Sequence, residues 1–197
     1  MKEVVISTGN PNKFNQISHI LTSLNVKADR FVSLSELGIT NDESESGTIM
    51  DRALQKAKFC LGKVSVDCGC IVGNDVGTRL PTVGIETTES RQLVDEILAG
   101  KHLKAGDPIN YVYAYAFILL PNQKILTAQA EIPFTYLGNP LGLKRIDGQN
   151  TMNQVKAIPG QYISHNLIPP EEVIAYRLKF LRTSLEPIVN EINNLNK

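Results

Sequence analysis

The sequence has no excess of charge of either sign: 20 Lys and Arg stand against 20 Asp and Glu in 197 residues. Proteins held on DNA or RNA by bulk charge gain affinity by neutralising many phosphates. The balance therefore excludes bulk nucleic-acid binding and leaves room only for a local basic pocket that takes one small phosphorylated ligand. Long apolar runs are also missing. A bilayer-spanning helix needs about 20 apolar residues, and the longest run here, Tyr111 to Leu120, reaches roughly half of that, so no membrane association is expected. Met1-Lys2-Glu3 turns at once into Val4-Val5-Ile6, without the basic region and longer apolar stretch of an export signal. Cysteine is scarce and odd in number. Cys60, Cys68 and Cys70 read as reduced thiols of a cytoplasmic protein. Cys68-Gly69-Cys70 has no second ligand pair, since His19, His102 and His165 are scattered, so these cysteines read as small core residues rather than a zinc site. Fixed-period repeats, low-complexity tracts and the GxxxxGK[ST] spacing of a Walker A loop are absent.

What is present suffices for a packed core: 42% of residues are hydrophobic and 20% charged. A single domain over 1–197 is expected. Val4-Val5-Ile6-Ser7 reads as a buried strand that breaks at Thr8-Gly9-Asn10-Pro11-Asn12. Phe14, Ile17, Ile20, Leu21 and Leu24 then mark one helix face. Phe31-Val32-Ser33-Leu34 reads as a second strand, followed by a loop ending in Asp42-Glu43-Ser44-Glu45-Ser46-Gly47. A helix over about 48–61 follows, with Thr48 and Asp51 spaced for a capping box. Cys70-Ile71-Val72 reads as a buried strand ending in a turn, Gly73-Asn74-Asp75-Val76-Gly77, and a helix from about Glu89 stops at Gly100. Tyr111–Leu120 and Ile125–Tyr136, joined through Pro121-Asn122-Gln123-Lys124, form a β-hairpin. The last helix starts near Pro169-Pro170-Glu171-Glu172 and runs past Pro187. The pattern predicts an α/β protein: a mixed central sheet flanked by helices, a long hairpin lobe at about 108–160, and a ligand cleft between them.

Three polar stations follow three apolar runs, and ligands of open α/β sheets bind at the carboxyl ends of strands. At the first, Thr8, Asn10 and Lys13 surround a glycine and open a helix whose N-terminal N–H groups favour an anion; an Asn/Pro turn with a surface lysine would look the same. At the second, Asp51 lies in the first turn of a helix, with Lys56 about 140° around the axis; a first-turn acid also serves the helix dipole alone. The third places Asp75 just past a buried strand, where an aspartate is either a metal or catalytic ligand or a turn former.

In order and spacing, Thr8-x-Asn10-x-x-Lys13, Glu45-Ser46-Gly47-Thr48 leading to Asp51-x-Ala53-x-x-Lys56-Ala57, and Asn74-Asp75-Val76-Gly77 resemble the inosine/xanthosine triphosphate pyrophosphatases. The match covers the first half of the chain and resumes weakly at Ile174-Ala175-Tyr176-Arg177, where the family carries Ser-His-Arg. The resemblance implies hydrolysis of non-standard purine nucleoside triphosphates to monophosphate and pyrophosphate, with Mg²⁺. Thr8, Asn10 and Lys13 would hold the triphosphate, and Lys56 would neutralise it. Asp51 would be a metal ligand, Asp75 a metal ligand and the activator of water, and Arg177 a contact to the base or phosphate end.

The departures fall at functional positions. Asn74 replaces the first acid of the family's acid pair, Val76 its serine, and Met152-Asn153-Gln154 an aromatic-Asp-Pro stretch. Ala175-Tyr176 replaces Ser-His; Tyr176 is expected to stack on a base instead. Ser164-His165-Asn166 lies ahead of the last helix and reads as a loop coincidence. An enzyme with weakened activity or altered base specificity is the favoured reading. A non-catalytic nucleotide-binding protein of the same fold and a structural module are the others. Tyr111, Tyr113 and Tyr115, on one face by period two, predict an apolar surface that a homodimer would cover.

Overall fold

The computed structural model describes residues 3–40, 45–65, 68–87, 91–120, 122–146 and 151–194. Asp42 to Ser44 of the expected loop, Glu89 at the expected helix start and Pro121 of the expected turn lie outside them. The chain is α/β, with one mixed seven-stranded sheet and flanking helices. Strands β1 (Glu3–Ile6), β2 (Phe31–Ser33), β3 (Cys68–Leu80), β4 (Ile85–Thr87), β5 (Pro108–Leu119), β6 (Lys124–Tyr136) and β7 (Lys156–Ala157) run in the order β2-β1-β3-β5-β6-β7, with β4 on β3. β1 lies parallel between β2 and β3, with Val5 opposite Val32 on one side and Ile71 on the other. Val4, Val5, Ile6, Val32, Ile71 and Val72 are all buried, as two-sided burial of short β-branched runs requires.

The chain divides into two compact units. Unit 1 comprises Met1–Asp75, Tyr113–Ala130 and Leu178–Lys197; unit 2 comprises Val76–Val112 and Glu131–Arg177. The expected hairpin lobe is not set apart. β5 and β6 form the hairpin, but its far half belongs to unit 1 and its base to unit 2, because twelve- and thirteen-residue strands are long enough to serve both.

In unit 1, helix α1 (Pro11–Ser23) begins with Pro11 and is capped by Asn10, whose side chain accepts from the amides of Asn12 at 2.9 Å and Lys13 at 3.3 Å. Helix α2 (Ile49–Phe59) begins with the full capping box: Thr48 Oγ1 accepts from Asp51 N at 3.1 Å, and Asp51 Oδ2 accepts from Thr48 N at 3.0 Å. Ala53 and Ala57 of α2 are fully buried, and opposite them stands Gly73 of β3. A Cβ on Gly73 would lie 2.0 Å from the Ala53 carbonyl and 2.7 Å from the Ala57 amide, so only glycine allows the helix to come this close. The expected turn at 73–77 is absent. β3 continues through it to Leu80, pairing with β1 as far as Val72 and with β4 from Thr78 and lying beside β5, so its place in the sheet outweighs the local preference of Gly-Asn-Asp for turning. Cys60, Cys68 and Cys70 are free and buried, as core residues.

Unit 2 contains helix α3 (Arg91–Leu98), which stops at Gly100 with φ 80°, and two short 3₁₀ turns, Thr151–Gln154 and His165–Leu167. Helix α4 (Pro170–Asn194) crosses from unit 2 into unit 1 and keeps Pro187 inside it. The three tyrosines expected to face a partner are buried within the chain: Tyr111 is 8%, Tyr113 7% and Tyr115 1% exposed. The period-two surface argument for a homodimer fails, because both faces of β5 are covered intramolecularly. No described helix is long and apolar enough to cross a membrane.

Candidate active site

In unit 1, Asp75 gathers cations from two helices. It sits mid-strand on β3, 3% exposed, with Lys56 Nζ donating to Oδ1 at 2.5 Å. Arg52 Nε lies 3.2 Å from Oδ2, and Lys13 Nζ 3.9 Å from Oδ1. A second acid joins them: Glu45 Oε2 is 3.0 Å from Lys56 and 3.5 Å from Arg52. Arg52 and Lys56 are four residues apart on α2 and so share one face. Lys13 comes from the first turn of α1, where the N-terminal end of the helix adds partial positive charge. Three cations against two carboxylates leave one positive charge among these groups. Burial, and the neighbouring Lys56, hold the Lys13 ammonium below its usual range; Asp75 opposes that shift. A polyanion entering here would meet a Lys13 side chain that is 36% exposed and the more buried Arg52 and Lys56, at 21% and 13%.

Of the residues singled out in the sequence, Lys13, Lys56 and Asp75 converge. Thr8 and Asn10 sit beside Lys13, but their side-chain oxygens accept backbone hydrogen bonds: Asn10 N donates to Thr8 Oγ1 at 3.2 Å, and Asn10 caps α1. Asp51 is turned back on its own helix cap. Thr48 Oγ1 donates to its Oδ2 at 2.7 Å, and the Thr48 hydroxyl and amide hold the carboxyl below the usual carboxylate range. Glu45 and Arg52 were not foreseen. Glu45 stood in the quoted motif, but sequence spacing does not show that the segment ahead of α2 folds back beside Lys56.

The resemblance implies a magnesium ion, and the donors allow a test of fit. Asp75 Oδ2 is buried and accepts no hydrogen bond, which is an oxygen with coordination capacity to spare. Glu45 supplies a second carboxylate. Asn74, the amide in place of an acid, instead donates to the Ala114 carbonyl at 2.9 Å. Among the described residues no group of three or more His, Cys, Asp and Glu side chains could hold a metal. Magnesium keeps several waters and is commonly held by one or two carboxylates plus substrate phosphates. Glu45 and Asp75 therefore fit an ion that arrives with its substrate, not one caged by protein alone.

The other predicted residues belong to unit 2. Tyr176 does not present a free face: its hydroxyl donates to the Pro133 carbonyl at 2.6 Å, and its ring meets Phe134 edge-on at 5.6 Å. Burial pushes its phenol up to about 12. Arg177 is 5% exposed, and His165, expected to be a loop coincidence, is 6% exposed in its 3₁₀ turn.

No protein-family model matches the chain. It is 35% identical to the dITP/XTP pyrophosphatase of Clostridium tetani over 85 residues, 43% of this chain and 41% of that protein. It is 33% identical to the dITP/XTP pyrophosphatase of Wigglesworthia glossinidia brevipalpis over 76 residues, 36% of this chain and 37% of that protein. This chain resembles the dITP/XTP pyrophosphatases. The matches span 41% and 37% of those relatives, so the likeness in sequence is partial. In structure it is nearly complete. A nucleoside-triphosphatase, or dITP/XTP pyrophosphatase, from Mycobacterium abscessus superposes with a TM-score of 0.58 at 18% identity, covering 90% of this chain and 93% of that one. A HAM1 protein from Coxiella burnetii gives 0.67 at 14% identity, covering 98% and 100%. At these identities the dITP/XTP pyrophosphatase-like fold is what is shared.

Proposed function

We infer that the chain hydrolyses non-standard purine nucleoside triphosphates, such as those named for its relatives, to monophosphate and pyrophosphate, with Mg²⁺ as cofactor. The observation that carries this reading is the convergence of Lys13, Arg52 and Lys56 on Asp75. A triphosphate brings several negative charges to be offset, and phosphoryl chemistry is governed by positioning and charge stabilisation. Lys13, Arg52 and Lys56 would turn from the carboxylates to the phosphate oxygens on binding. That releases Asp75 to take the proton of the attacking water. Magnesium, held by Glu45 and Asp75, would neutralise charge that develops on the phosphates. Work in the cytoplasm is part of the same proposal, as is a homodimer, whose support shifts from the buried tyrosines to Leu141, Tyr162 and Leu167, 82%, 95% and 71% exposed.

Pyrophosphate release from dITP, XTP and the four standard triphosphates, with and without Mg²⁺, tests the reading. Release from dITP or XTP that disappears in Asp75→Asn is the expected result; release unchanged in that variant refutes it. One observation favours the alternative of a non-catalytic nucleotide-binding protein: both oxygens of Asp75 lie against cations. If those contacts persist on binding, triphosphates raise the thermal midpoint without turnover.

A further inference from the structure

The two carboxylates of the candidate site are bridged by a guanidinium. Arg52 Nε lies 3.5 Å from Glu45 Oε2 and 3.2 Å from Asp75 Oδ2. Lys56 Nζ lies 3.0 Å from the same Glu45 oxygen and 2.5 Å from Asp75 Oδ1. The two cations thus divide the oxygens of Asp75 between them, and their contacts differ in kind. Lys56 donates a hydrogen bond to Oδ1, whereas Oδ2 is buried and accepts none, so Arg52 meets it through charge alone. The Asp75, Glu45 and Arg52 side chains are 5%, 16% and 21% exposed, so water screens these charges only partly.

A divalent ion would compete for the same corner. Magnesium takes carboxylate oxygens at about 2.1 Å, and the oxygen with most capacity to spare, Asp75 Oδ2, is the one that faces Arg52. A guanidinium does not yield by losing its proton, as an ammonium or imidazolium can. It has to move. The balance of charge points the same way. Lys13, Arg52 and Lys56 against Glu45 and Asp75 leave one positive charge, which a bare divalent ion raises to three and only an incoming polyanion lowers.

We propose that Arg52 is a resident counter-cation of the metal-holding pair. Without substrate it bridges Glu45 and Asp75 and keeps divalent ions off them; on binding it passes to the phosphate chain and gives up Asp75 Oδ2. The protein thereby selects a metal–triphosphate complex over free metal, and by linkage each of the two tightens the other. This rests on the proposed metal-dependent triphosphate chemistry, so the deciding titrations are made without nucleotide.

Mn²⁺ is the probe, added to the full chain and followed by the loss of its free-ion signal in electron paramagnetic resonance. Arg52→Gln should bind Mn²⁺ about tenfold or more tightly than the unsubstituted chain, the least expected from removing a like charge a few ångströms away. Arg52→Lys keeps the charge and should stay within about threefold of the unsubstituted chain. Equal, weaker or absent binding in Arg52→Gln overturns the proposal, because the guanidinium then supports the carboxylates instead of competing for them. Arg52→Lys binding as tightly as Arg52→Gln overturns it too, since charge is then not the cause. Should Arg52→Gln fail to fold, NMR of the unsubstituted chain decides. Saturating Mg²⁺ should shift the Arg52 Nε–H resonance, assigned from its loss in Arg52→Lys, and a resonance that stays in place refutes the idea. A hydrolysis-resistant dITP analogue is added last and should tighten Mn²⁺ more in the unsubstituted chain than in Arg52→Gln. An analogue that does not bind counts against the triphosphate reading, while the titrations without nucleotide still decide the role of Arg52.

Discussion

Gly73→Ala is the substitution that most directly links packing to the site. The added methyl would lie 2.0 Å from the Ala53 carbonyl oxygen and 2.7 Å from the Ala57 amide nitrogen, both backbone atoms of α2. Non-bonded atoms settle at about 3.5 Å, so helix and strand must separate by roughly 1.5 Å. No rotamer change relieves a clash between two backbones. Overpacking a core costs about 1–3 kcal/mol, and this case belongs at the upper end or beyond it. The same separation carries Arg52 and Lys56, on α2, away from Asp75, two residues along β3 from Gly73. Urea unfolding should show a loss of about 3 kcal/mol with an unchanged slope. A fluorescent triphosphate analogue should bind more weakly in the fraction that stays folded. Stability within about 1 kcal/mol of the parent would refute the reasoning, since it would mean that α2 does not press on β3 at this point.

Four further outcomes follow from named contacts. Lys56→Met removes the donor nearest Asp75 and should weaken triphosphate affinity by about ten- to a hundredfold, the value of one charge-assisted hydrogen bond, as read by titration calorimetry. Thr48→Ala removes the α2 capping box and should cost about 1 kcal/mol in urea unfolding. Asp51→Asn should likewise touch stability while leaving the Mg²⁺ dependence of pyrophosphate release unchanged; a changed dependence would return Asp51 to the metal. His165 takes up a proton at about 3 when folded against an ordinary 6.5. Between those values the unfolded chain binds the extra proton, so acid between pH 6.5 and pH 3 should destabilise the protein. His165→Gln should show a shallower loss over that window.

The regular elements were legible because their signals are local: β-branched runs for β1 and β2, helical spacing for α1, the capping box of α2, and Pro-Pro-Glu-Glu ahead of α4. What misled was local too. Gly73-Asn74-Asp75 has turn composition, yet Gly73 is there because α2 needs the room, and β3 stays extended through it beside β5, between its pairings with β1 up to Val72 and with β4 from Thr78. Period two put Tyr111, Tyr113 and Tyr115 on one face but could not say that this face is covered by the chain itself. At the site, Lys13, Lys56 and Asp75 were found by motif order, whereas Glu45 and Arg52 depend on how one segment folds back. Asp51 takes part in the cap of its own helix, and in sequence an acid at the third helical position looks the same whether it caps the helix or binds a metal.

The balanced charge, 20 against 20, also conceals where the charges lie. In unit 1 three cations face two carboxylates around Asp75; in unit 2 Lys156, His165 and Arg177 are buried together. Many of the acids that balance them are exposed on surfaces such as the first turn of α4, at Glu171 and Glu172. Water screens those exposed acids from the buried basic groups, so the sum of zero describes the whole chain but neither interior.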